Sequence, residues 1–165
     1  MASLSDRMRD VLNDQVHAEL YSAYLYLSMA AYFDSQDMHG MARWMRAQFA
    51  EEQKHAMKLY DYVVERGGRV TMKAIEGPQI EWPSPLAVFE AVYAHEQKVT
   101  GMINGLVAVA RQEGDRAAED FLQWFVKEQE EEEESADGVV QKMKKAGDDP
   151  AALKELDAEL GRRQG

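Results

Sequence analysis

The sequence predicts an all-α protein: a four-helix bundle with a long crossover between the second and third helices and a short fifth helix at the C-terminus. Three observations carry this. Of 4 prolines, three fall between Pro78 and Pro85 and the other is Pro150, so two long stretches lack the residue that breaks helices. Apolar residues recur at steps of three and four along four of the segments, the helical period. Those segments are also of similar length, so their apolar stripes can cover one another in one bundle.

Each element has its own signals. Ser3 or Ser5 caps a first helix that runs to about Tyr32 or Phe33, where "DSQDMHG" breaks it. Its stripe is Met8, Leu12, Val16, Glu19, Ala23, Tyr26, Ala30 and Phe33. A second helix spans His39 or Gly40 to Arg66, stopped by Gly67 and Gly68, with the stripe Met41, Met45, Gln48, Glu52, His55, Leu59 and Tyr62. Ser84 and Pro85 form a cap and first turn for a third helix reaching about Glu113. Its stripe is Phe89, Val92, Glu96, Val99, Ile103, Leu106 and Ala110. After a short turn at Gly114, a fourth helix runs from about Asp115 to Ala146 through Leu122, Phe125, Gln129, Glu132, Ala136, Val139 and Met143. Asp149 caps, and Pro150 opens, the short fifth helix.

Helices of about thirty residues are roughly 45 Å long. The link from Gly67 to Ser84 is too long for a tight turn. It predicts a strand of chain running the length of the bundle, which makes the second and third helices parallel. The expectation is one domain over residues 1–165, with the bundle at about 4–146 and the fifth helix at about 149–160.

Composition narrows the class of function. The 165 residues are 45% hydrophobic, enough for a packed core, and contain no cysteine, which removes disulfides, thiolate metal sites and cysteine nucleophiles. Lys+Arg number 19 against 30 Asp+Glu, a formal net charge of -11. That field repels nucleic acid and favours cations. No segment reads as a signal peptide or a membrane span, so the expected location is cytoplasmic.

The four stripes are apolar except near their middles, where they carry Glu19, Glu52 with His55, Glu96, and Gln129 with Glu132. Buried carboxylates must be paired or give up their charge. No lysine or arginine lies on these stripes, so bound cations are the expected partners. Carboxylates with one imidazole suit iron, manganese or zinc. Glu52 and His55 are three apart and can share one ion, and a carboxylate from each helix is enough for two adjacent metals with Glu52 as a bridge.

The run "EQEEEEES" behind Phe125 divides by register. Glu132 and Gln129 point inward, while Glu130, Glu133 and Glu134 are expected in water. Glu51, Glu128 and Glu131 flank the site as a third, more exposed metal station. Tyr26, one heptad beyond Glu19, is placed to hydrogen-bond a ligand or donate an electron.

The segments "NDQVHAELYSAYLYLSMAAYF", "WMRAQFAEEQKHAMKLYDYVVERGGRV", "YAHEQKVT" and "FLQWFVKEQEEEE" resemble those of the ferritins, most closely the haem-free ferritins of bacteria and archaea. The resemblance covers nearly the whole chain. It implies a ferritin-like bundle in which Glu19, Glu52 and His55 hold a first iron and Glu52, Glu96 and Glu132 a second. Glu51, Glu128, Glu131 and Glu132 match an additional iron site of the prokaryotic branch, and Gln129 a position that is glutamine or glutamate beside the pair. Tyr26 and Trp124 match aromatic residues held to supply electrons. The implied activity is oxidation of Fe(II) by oxygen or peroxide, with storage of ferric mineral in a hollow homo-oligomer, usually of 24 subunits.

Bacterioferritins, by comparison, carry a haem-binding methionine directly after the bridging glutamate. This chain has Gln53 there, so no haem is expected. Two other readings of the ligand set are an iron-binding assembly with little redox turnover and a di-iron oxidase acting on another substrate. The latter commonly has a second Glu-x-x-His pair, which Gln129 and Glu132 do not supply.

Overall fold

The computed structural model describes residues 2–163; the outer limits expected for the domain, residues 1 and 165, lie outside them. Its helices are α1 (Asp6–Ser35), α2 (His39–Glu65), α3 (Pro85–Gln112), α4 (Arg116–Ala146) and α5 (Pro150–Leu160). The fold is a four-helix bundle with a long α2–α3 crossover and a short last helix, as the sequence predicts. Among the described residues, no helix is long and apolar enough to cross a membrane.

Local chemistry accounts for most helix starts. Ser5 Oγ accepts from the Met8 amide at 3.1 Å, Ser84 Oγ from Ala87 at 3.2 Å, and Asp115 Oδ1 from Ala118 at 3.0 Å. Each satisfies an amide the helix itself cannot. α1 runs past the expected end at Phe33 to Ser35, and the turn is completed by Asp37 in the left-handed region (φ 57°).

α2 is the exception, because its N-cap residue, Met38, has no side-chain acceptor. The acceptor comes from α5: Asp157 Oδ1 takes the Met41 amide at 2.8 Å. Glycine makes that docking possible. A Cβ on Gly40 would lie 1.8 Å from the Asp157 carbonyl oxygen, and one on Gly161 would lie 2.8 Å from the Gly40 Cα.

The crossover runs along α1. Near its start, the Asn13 amide donates to the Arg69 carbonyl (3.0 Å) and its oxygen accepts from the Thr71 amide (2.8 Å). Further on, Ser28 Oγ donates to the Gln79 carbonyl (2.7 Å), and Trp82 is buried edge-on against Tyr32. The link therefore climbs beside α1 and returns the chain to the end where α2 began, which makes α2 and α3 parallel. At the opposite end the Arg66 guanidinium is buried and grips Asp115 through two contacts, 3.1 and 2.9 Å, while donating to Tyr62 and the Ala2 carbonyl. Removing one partner of a buried pair of this kind costs about 3–5 kcal/mol.

All four stripes are buried, and they form two separate apolar clusters. One joins the C-terminal half of α1 to the start of α2 and α3, the end of α4, and α5, around Phe33, Phe89 and Trp44. The other joins the start of α1 to the ends of α2 and α3 and the start of α4, around Leu12, Leu59 and Phe125. Fully burying each such side chain contributes about 1.5–3 kcal/mol. The belt between the clusters is polar, and it lies where each stripe changes character.

A Cβ at Gly101 or Gly105, both inside α3, would meet nothing within 4 Å, so no other helix of the same subunit approaches closely there.

Candidate metal centre

Each helix delivers to the belt the side chain that falls at the middle of its buried stripe. Glu19 from α1, Glu52 and His55 from α2, Glu96 from α3, and Gln129 and Glu132 from α4 are all buried. Glu19 accepts from Gln15 Nε2 at 3.2 Å through Oε1. His55 Nδ1 stands 3.3 Å from Glu52 Oε2, and its Nε2 stands 3.6 Å from Glu128 Oε1. Glu96 accepts from the Tyr26 phenol on Oε1 and from Gln129 Nε2, at 3.1 Å, on Oε2. Glu132 Oε2 accepts from Gln48 Nε2 at 2.5 Å.

Three groups of ligand atoms converge to within 4.8 Å: Glu19–Glu52–His55, Glu52–Glu96–Glu132, and His55–Glu128–Glu132. Glu52 belongs to two of them, so its two oxygens can serve neighbouring ions. Glu19 Oε2 is buried with no hydrogen-bond partner, an orphan in the first group. Such an atom is costly in a dry core unless something electropositive fills its lone pairs.

The electrostatics agree. Burial pushes Glu19 well above the usual carboxylate range, and the charge of nearby Glu52 pushes it further. Burial likewise raises Glu52, followed by the charges of Glu96 and Glu132. Glu132 is pushed up to about 9 by burial and by Glu96. Glu96 is raised by burial, though the Tyr26 and Gln129 hydrogen bonds oppose the shift. Each shift favours the protonated carboxyl, and a divalent cation bound among these groups would displace such protons. All-oxygen donors with one imidazole, without thiolate, suit a hard or borderline divalent ion, and iron fits the set.

The outer positions are less uniform. Glu128 is half-buried and faces His55. Glu51 is half-buried and paired with Arg163 at 3.2 Å, while Glu131 is exposed; neither belongs to the converging groups. Glu130 and Glu134 are exposed, but Glu133, expected in water, is half-buried because Thr100 Oγ1 donates to it at 2.6 Å. Tyr26 is fully buried against Glu96, and burial, then that charge, raises its phenol well above the ordinary value. Trp124 lies at the surface, 41% exposed, with its ring 5.5 Å from that of His55 and Lys58 Nζ 3.6 Å above it.

Sequence reasoning gave no role to two of the amides that orient these carboxylates, Gln15 and Gln48. Both are buried one turn before a buried glutamate, Gln48 on the second helix's stripe before Glu52 and Gln15 beside the first helix's stripe before Glu19. That spacing was the available signal for both. Arg163 gave none, because it lies beyond the last helix and reaches the belt only through the way α5 docks.

Residues 9–146 match the family model of the ferritin-like domain. A bacterial non-heme ferritin of Bacteroides fragilis is 42% identical over 160 residues, spanning 97% of this chain and 99% of that protein. Another, from Staphylococcus aureus, is 37% identical over 160 residues, spanning 97% of this chain and 96% of that protein. Among solved structures, an open-pore ferritin from the hyperthermophilic archaeon Archaeoglobus fulgidus is 56% identical and superposes with a TM-score of 0.97, covering 98% of this chain and 100% of that one.

Proposed function

This chain belongs to the ferritin family, and on that premise we propose that it is an iron-storage ferroxidase. It binds two Fe(II) ions side by side within one subunit, passes their electrons to oxygen or peroxide, and stores the ferric product inside a homo-oligomeric shell of 24 subunits in the cytoplasm. The observation that carries this reading is Glu19 Oε2, a buried carboxylate oxygen without a partner, beside Glu52 and His55.

In this reading Glu19, Glu52 and His55 hold the first iron, and Glu52, Glu96 and Glu132 the second. Glu52 is shared, which fixes the two ions at adjacent positions and lets one oxidant take an electron from each. Anionic oxygen donors favour the higher charge of the ferric product. Tyr26 and Gln129 hold Glu96 by a hydrogen bond to each oxygen, and a lone pair on each oxygen remains free for metal. Gln15 and Gln48 do the same service for Glu19 and Glu132. Glu128 faces the His55 nitrogen turned away from Glu52, where it can accept that N–H and fix the ring. Gln129 contributes an amide rather than a further carboxylate, which keeps the centre less anionic and eases departure of iron to the core.

Loading with Fe(II) without oxygen, followed by air, tests the reading. Uptake of oxygen should be rapid at about two irons per subunit, with mineral growth on further loading. Binding without accelerated oxidation would leave an iron-binding assembly instead.

A further inference from the structure

The third acidic station, the one built from Glu51, Glu128, Glu131 and Glu132, is reached by a cation of the protein's own. The guanidinium of Arg163 approaches from the turn after α5. Its Nη2 lies 3.2 Å from Glu51 Oε2 and donates to Gln48 Oε1 at 2.8 Å. Nη1 is 3.4 Å from the Trp44 carbonyl, and the guanidinium carbon sits 4.3 Å above the Trp44 ring. Four partners on one face of α2 make this a defined seat, and the docking of α5 through Asp157, Gly40 and Gly161 holds the tail over it.

Two consequences follow from hydrogen-bond chemistry. Gln48 is 1% exposed and has one oxygen and one NH2 group to place. With its oxygen on Arg163, its NH2 must face Glu132, which is the arrangement found. The reverse would set oxygen against carboxylate and NH2 against guanidinium. Arg163 thus orients an amide that touches a carboxylate of the inner pair. Glu51, its ion-pair partner, lies outside the converging ligand groups.

We propose that Arg163 is a resident counter-cation of the third station, which an incoming divalent ion must displace before Glu51 can serve as a ligand. The proposal rests on the iron-site reading above and deepens it. Arg163 acts as a positioning residue: with the guanidinium seated, the outer station is short of one carboxylate. With it displaced, Glu51 is released and the Gln48 amide is free to turn. Access of a third ion is then coupled to the C-terminal tail, while the inner pair keeps its own ligands.

Calorimetric titration with Zn(II), an ion of similar charge that is not oxidised, separates the possibilities without any turnover. The assembled protein should bind two ions tightly and a third more weakly. In Arg163→Gln the third should bind about tenfold more tightly, the scale of a hydrogen bond to a charged group, while the inner two sites, which keep all their carboxylates, still fill before it. Arg163→Lys, which keeps the charge, should stay near wild type. Adding Glu51→Gln to Arg163→Gln should cancel the gain. A third affinity unchanged in Arg163→Gln, or no third ion in either protein, overturns the proposal and leaves the inner pair standing. Failure to bind even the first two overturns the functional reading itself.

Discussion

In the proposed function both inner ions depend on Glu52, because its carboxylate is common to two of the three converging groups. Glu52→Gln keeps the shape and removes the charge. Losing an outer partner of a metal ligand costs 10–100-fold, so losing a shared ligand should slow the initial oxidation of Fe(II) by roughly 100-fold or more. Stopped-flow absorbance checks this, and an unchanged first phase in an assembled variant would remove the bridge. The carboxylates also predict how stability responds to pH. The Glu132 carboxyl would ionise at 4.5 in the unfolded chain but holds its proton to about 9 in the folded one. Below 4.5 both states are protonated and the group costs nothing. As pH rises from there to about 9 the unfolded chain is increasingly favoured. The metal-free protein should therefore lose stability across that window, and the upward shifts of Glu19 and Glu52 act in the same direction. Glu132→Gln should make the decline shallower in denaturant titrations at several pH values, and saturating divalent metal should abolish most of it.

At the scale of the elements, α5 is more than an appendage. It contributes only two buried residues, Leu156 and Leu160, to the core. It also supplies α2 with the N-terminal acceptor that Met38 lacks, and it carries the chain onward to Arg163. Gly40→Ala would drive a methyl group to 1.8 Å from a backbone oxygen, which no side-chain movement can relieve. The expected outcome is an undocked α5 with the first turn of α2 uncapped, a loss of about 1 kcal/mol from the cap alone. Hydrogen exchange should then accelerate at residues 39–42 and along α5, while the far end of the bundle, clamped by Arg66 and Asp115, keeps its protection.

For the whole molecule, the features left over are those a shell would use. Tyr24, Leu27, Tyr60, Val64, Met72 and Ile80 are all exposed on the chain taken alone. Contiguous burial of such side chains between subunits is what stabilises obligate assemblies. Sedimentation should find a closed particle of about 450 kDa, twenty-four copies of the 18.8 kDa chain related by point symmetry. A persistent monomer or dimer at physiological salt would remove storage from the proposed function even if iron still bound.

The sequence by itself determined the elements and the composition of the belt. Helical spacing is a local property, so Glu19, Glu52, His55, Glu96, Gln129 and Glu132 could be placed on buried faces by counting along each helix against its apolar neighbours. Caps such as Ser5, Ser84 and Asp149 were legible for the same reason, since donor and acceptor lie within one turn. Only the tertiary structure decided what depends on distant segments meeting. Asp157 caps a helix 116 positions away, Gln48 reaches across to Glu132, and Arg163 returns along α2 to Glu51. Glu133 is half-buried where Thr100 of a neighbouring helix offers it a donor. Periodicity fixes which way a side chain points from its own helix, but partners on another element are set by the packing of the whole bundle.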